Sequence, residues 1–242
     1  MSYSPIFDHV PTSISFSIWA TAFLQGRETL ERSVDSIVPA PRTVNILGKS
    51  ELLTFFLSEL RKNSCVGIRC HLPVSGNTDS LIGNDEFVEL ALTNGQALTT
   101  TGGSIYGITE SEDSWDVFPR NKEPIKSKYN WKDLDHEFHH AIQEVSQDLE
   151  AFDLIKDNQE ARDLLIDLDH DISRQVYPDD QDSRVTFLIG RSLRVLTTCQ
   201  FVTNHWLETN SATKSNLVRE RILELARISR LTLTNAVNYG IN

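Results

Sequence analysis

Residues 43–72 place the tightest limits on what this chain can fold into. Thr43-Val44-Asn45-Ile46-Leu47 is short, apolar and rich in β-branched residues, which predicts a buried strand. Gly48 opens a turn, and Ser50 is a good N-cap for a helix reaching about Arg61. That helix carries an apolar stripe of Leu52, Leu53, Phe56, Leu57 and Leu60. Cys65 to Leu72 then reads as a second strand. Strand, helix and strand within thirty residues predict a βαβ unit, with its two strands parallel and a right-handed crossover.

The flanking segments extend this unit. Residues 13–25 are apolar, but their spacing fits a strand at one end and a helix at the other. Residues 27–38 place Leu30, Val34 and Ile37 on one helical face before Pro39 and Pro41 end it. A short helix over 84–93 closes at Asn94-Gly95, and short strands follow near 97–101, 104–108 and 114–118. Gly102-Gly103 makes a hairpin turn between the first two.

Beyond a basic, proline-punctuated stretch at 119–130 the pattern turns helical, over about 131–153, 158–175, 184–208 and 215–238. The expected fold is therefore α+β (or α/β), a small mixed sheet with one βαβ unit followed by a four-helix C-terminal layer. The expected organisation is 1–118 as the α/β portion, 119–130 as a linker and 131–242 as the helical portion, the two portions able to share one core.

Charge separates the helical half further. Residues 132–183 hold 16 acidic and 4 basic side chains, whereas 184–242 hold 3 acidic and 8 basic. Complementary helix pairs explain this most simply, and a protein partner or self-association through the helical half explains it more sharply. The overall net charge of −11 argues against nucleic acid as a general partner. No run of eighteen apolar residues predicts a membrane span. Cys65, Cys70 and Cys199 offer no disulfide framework, which fits a soluble protein of a reducing cytoplasm.

One motif proposes chemistry. His136-Glu137-Phe138-His139-His140 matches H-E-x-x-H, where two imidazoles one helical turn apart reach one zinc ion and the glutamate activates the metal-bound water. Glu160, twenty residues after His140, is available as a third ligand. A zinc-dependent peptidase would thus use His136, His140 and Glu160 as ligands and Glu137 as base. The helical wheel weighs against it. Leu134, Phe138, Ala141, Ile142 and Val145 define the apolar stripe, and His136 and His140 fall opposite, among Asp133, Glu137 and Glu144. A solvated helix face is the favoured reading, with no cofactor required.

A second candidate is the loop 73–80, whose Ser75, Asn77 and Thr78 follow a presumed parallel strand, where α/β sheets bind small ligands. It lacks the glycines and lysine of a phosphate-binding loop, so a plain surface loop is favoured. Arg184, Arg191 and Arg194 on the third helix, and Arg219, Arg221, Arg227 and Arg230 on the fourth, pair most simply with the preceding acids.

Through Trp19-Ala20-Thr21-Ala22-Phe23-Leu24-Gln25-Gly26 and His71-Leu72-Pro73-Val74-Ser75-Gly76-Asn77, the chain resembles an uncharacterised actinobacterial protein family of unknown function. The resemblance implies an N-terminal α/β portion, C-terminal helices and a bacterial cytoplasmic origin. It carries no activity, cofactor or catalytic residue. The leading reading is a non-enzymatic binding or interaction protein, ahead of the zinc peptidase and a small-molecule binder at loop 73–80.

Overall fold

The computed structural model describes residues 7, 9–37, 41–78, 81–83, 85–123, 131–150, 159–206 and 212–241. It is an α+β protein, and it divides into two compact units. One unit comprises Pro11–Ser127 with Val176–Gln181 and Val237–Asn242, and the other comprises Met1–Val10, Lys128–Gln175 and Asp182–Ala236.

The first unit is built on a six-stranded mixed sheet. Its strands are β1 (Thr43–Ile46), β2 (Lys49–Leu52), β3 (Gly67–His71), β4 (Ala97–Thr101), β5 (Tyr106–Glu110) and β6 (Trp115–Pro119), in the order β2-β1-β6-β5-β4-β3. Among the described residues only β1 and β6 pair in parallel, and every other strand pair is antiparallel. The expected βαβ unit is therefore corrected. β1 and β3 are separated by three strands and run in opposite directions.

The physical reason lies at Leu47-Gly48. Both residues have positive φ, 51° and 79°, the geometry of a two-residue hairpin turn. The chain folds back through β2 instead of entering a helix, with Ile46 opposite Lys49 and Val44 opposite Glu51. Ser50 thus lies in β2, and helix α3 (Leu53–Lys62) starts after Leu52, which gives no side-chain cap. Leu53, Phe56, Leu57 and Leu60 are buried as the stripe predicted, whereas Leu52 is exposed at the end of the strand.

Helix α1 (Thr12–Leu24) resolves the ambiguity at 13–25. Ser13 through Leu24 are all buried, so the segment lacks the one-sided pattern that would mark it as a surface helix. It packs on β3, with α2 (Leu30–Ser36) and α3 alongside. Phe16 meets Trp115 edge-on at 4.8 Å between ring centroids. Each such fully buried large side chain contributes roughly 1.5–3 kcal/mol. Helix α4 (Glu86–Asn94), capped by Asp85 and ended by left-handed Gly95, lays Phe87 across β5. A Cβ at Gly107 would sit 2.6 Å from the Phe87 ring, so glycine is what lets this helix close on the sheet.

The segment Val176–Gln181 is pinned to the same unit. Trp19 Nε1 donates to the Val176 carbonyl at 3.1 Å, while Arg27 and Arg32 pair with Asp180 and Asp179. Arg32 also lies 5.6 Å over the Trp19 ring.

The second unit holds α5 (Trp131–Glu150), α6 (Gln159–Arg174), α7 (Ser183–Trp206) and α8 (Ala212–Val237), the last entering the first unit at Val237. Leu134, Phe138, Ala141 and Val145 of α5 are buried, as are Leu168 of α6 and Val185, Leu188, Leu193 and Leu196 of α7. Arg194 of α7 pairs with Asp169 of α6, one contact of the complementary kind that charge segregation predicts. Arg227 pairs instead within α8, with Glu224. All three cysteines are free and buried, and burial pushes the Cys199 thiol up to about 12.

Candidate functional site

The H-E-x-x-H segment lies on α5 with the orientation that its apolar spacing predicts. Phe138 is buried, while His136, Glu137, His139 and His140 are exposed. The His140 ring is 3.7 Å from Glu144, an exposed pair that is ionic only when the imidazole is protonated. Glu160 falls in α6, but its side chain lies outside the described residues. Among the described residues no group of three His, Cys, Asp or Glu side chains is placed to hold a metal ion.

His139, the inner residue of the motif, reaches α7. Arg191 of α7 donates from Nη2 to His139 Nδ1 at 3.0 Å. A guanidinium has no acceptor, so Nδ1 accepts from it, while the ring Nε2 lies 3.2 Å from the Gln143 amide nitrogen. Arg191 also lies over the Phe138 ring, 5.4 Å from its centroid. The arginine is thus held by two side chains of α5.

Arg191 lines a cleft of about 430 Å³ between α5 and α7. Lys132 and Asp135 come from the first turns of α5, and Ser183, Arg184, Phe187 and Leu188 come from α7. Positions 184, 187, 188 and 191 share one face at helical spacing. Leu188 is buried, but Phe187 is 66% exposed. Arg184 is steadied by Asp182, whose Oδ1 also accepts the Arg184 backbone N–H at 2.9 Å. That guanidinium holds the Asp182 carboxyl below the usual range. Lys132, Arg184 and Arg191 thus line the cleft with Asp135 and an exposed aromatic ring, and Arg184 is already paired with Asp182. The sequence offered the arginines but not Phe187, because α7 is apolar nearly all round and no single position stood out.

Within the loop 73–80, residues 74–77 form a tight turn. Val74 and Asn77 exchange both backbone hydrogen bonds at 2.8 Å, with Gly76 at φ 85° between them. Ser75 and Asn77 are exposed, and Thr78 Oγ1 donates to the Leu81 carbonyl within its own turn. Residues 79 and 80 lie outside the described residues.

A second cleft, about 520 Å³, opens where β5 ends and α4 closes, lined in part by Asn94, Gln96, Glu110, Glu112 and Asp116. Glu110 is half-buried there. Its Oε2 accepts from Thr12 Oγ1 and from Gln96 Nε2, the latter at 3.0 Å. Burial raises its pKa, and these two donors only partly offset the rise. No pattern in the sequence marked it.

Among the described residues no helix is long and apolar enough to cross a membrane. No curated protein and no solved structure matches the chain. The segment from α1 through β6, which carries the sheet and the Glu110 cleft, matches a known family. Over residues 13–131 the chain matches the family described as Rv1486c-like protein, N-terminal domain, which supports its resemblance to an uncharacterised actinobacterial family.

Proposed function

We propose that this is a non-enzymatic binding protein whose helical unit receives an acidic segment of a protein partner in the α5–α7 cleft. The observation that carries the reading is Phe187, two-thirds exposed on the same face as Arg184 and Arg191. An exposed ring ordinarily costs solubility, whereas aromatic and arginine side chains together dominate binding energy at protein interfaces. Arg191 is already ordered by His139 and Phe138, so less side-chain entropy is lost when a carboxylate arrives. Lys132 adds positive charge beside Arg191, which steers an acidic segment toward the ring.

The test is fluorescence anisotropy with labelled peptides that carry several carboxylates and one apolar anchor, against neutral and basic controls. Acidic peptides bind, more weakly as salt is added, and Phe187→Asp or Arg191→Glu weakens them by at least about tenfold. Equal affinity for acidic and basic peptides, or no effect of either substitution, overturns the reading.

A further inference from the structure

The two edges of the sheet are treated differently by the rest of the chain. At β3 the outward backbone groups of Ile68 and Cys70 are all taken. Thr21 Oγ1 accepts from Ile68 N–H and, with Ser17 Oγ, lies within hydrogen-bond distance of the Ile68 carbonyl, while Asn238 serves Cys70. At the opposite edge β2 is exposed at all four residues, Leu52 among them, with Leu47 and Phe55 also exposed beside it. The hairpin register settles which of its backbone groups face outward. Ile46–Lys49 closes the two-residue turn as a hydrogen-bonded pair, so Val44–Glu51 is the next. Ser50 therefore turns its N–H and C=O away from β1, to the open side.

We propose that β2 is a self-association edge, on which a second copy of this chain lays its own β2 antiparallel and extends the sheet across a two-fold axis. Charge selects the occupant and the register. A lysine on an exposed strand ordinarily keeps identical edges apart. Here, setting Ser50 opposite Ser50 of the second copy lets the two exchange both backbone hydrogen bonds. It also places each Lys49 directly opposite a Glu51, and each Glu51 opposite a Lys49. The neighbouring register that also presents outward groups to each other would set Glu51 against Glu51 and loses both ion pairs. The three exposed apolar side chains at the hairpin tip and the start of α3 add surface to bury against the second copy.

Sedimentation equilibrium of the full chain over a concentration series tests this. The unmodified chain forms a dimer. Lys49→Glu sets acids against acids on both sides of the axis and raises the dissociation constant by at least about tenfold. Adding Glu51→Lys to that variant swaps the charges and restores the dimer. Ser50→Pro removes the outward N–H while leaving every bond from β2 to β1, because Ser50 lies in a non-hydrogen-bonded pair with Asn45; it is monomeric. If Ser50→Pro fails to fold, the charge-swapped pair still decides. A monomeric parent chain overturns the proposal and leaves the edge to a strand from a different protein. A dimer that survives Lys49→Glu, or is not restored by the swap, overturns it as well.

Discussion

Asn238 meets the backbone of Cys70 with both ends of its carboxamide. Its Oδ1 accepts from the Cys70 N–H at 2.8 Å, and its Nδ2 donates to the Cys70 carbonyl at 2.9 Å. The side chain thereby stands in for one residue of a neighbouring strand and closes an edge that would otherwise be open to pairing. Asn238→Ala is expected to destabilise the fold by about 2 kcal/mol, because both backbone groups lose their partner while partly shielded from water. Asn238→Asp keeps the acceptor and loses the donor, so it falls between. Urea unfolding measures the loss, and faster hydrogen exchange at the Cys70 amide locates it; unchanged exchange would contradict the assignment.

Leu47 holds a left-handed backbone, a γ-branched side chain at φ 51° and 80% exposed at the hairpin tip. Asparagine tolerates this backbone far better. Leu47→Asn is therefore expected to raise the stability of the single chain by about 1 kcal/mol, since no contact buried within the chain is given up. A β-branched replacement, Leu47→Val, lowers it. Thermal unfolding of the two variants side by side checks the sign, and a loss on Leu47→Asn would show that the leucine is making a contact.

Glu110 gives the sheet unit a pH dependence whose direction follows from its environment. Folding raises its pKa, chiefly through burial, so the native state still holds the proton where the unfolded chain has released it. This group's contribution to stability therefore falls as pH rises from the ordinary carboxylate range through the raised native value. Glu110→Gln keeps an acceptor for Thr12 and cannot ionise. Its stability relative to the parent chain grows from acid to neutral pH in a series of urea titrations. A difference that stays flat with pH would remove Glu110 as the cause.

His136 and His140 face outward on α5, where substitution leaves the core untouched. His136→Ala and His140→Ala are expected to shift stability by no more than about 0.5 kcal/mol. Under the binding-protein reading, calorimetric titration with zinc after chelator treatment finds no stoichiometric site. One equivalent of tightly bound zinc, lost on His136→Ala, would instead support the peptidase reading with Glu137 as base and Glu160 as third ligand.

Local pattern was enough to identify most of the elements. Periodicity at 131–150 put Leu134, Phe138 and Val145 inside and the histidines outside, because an amphipathic helix writes its own orientation into its spacing. The stripe of α3, the left-handed Gly95 ending α4 and the short strands from Ala97 to Pro119 were legible from local pattern too. Tertiary structure decided what no single segment encodes. A Leu-Gly turn carries none of the usual asparagine or aspartate signal, so the β1–β2 hairpin was hidden, and with it the route of α3 to the far edge of the sheet. Helix α1 is buried on every side, and that erases the periodicity from which its type could be read. Phe187 becomes a candidate contact only because Leu188 beside it turns inward. The Asn238–Cys70 pairing joins residues 168 positions apart, and only the folded chain brings them together.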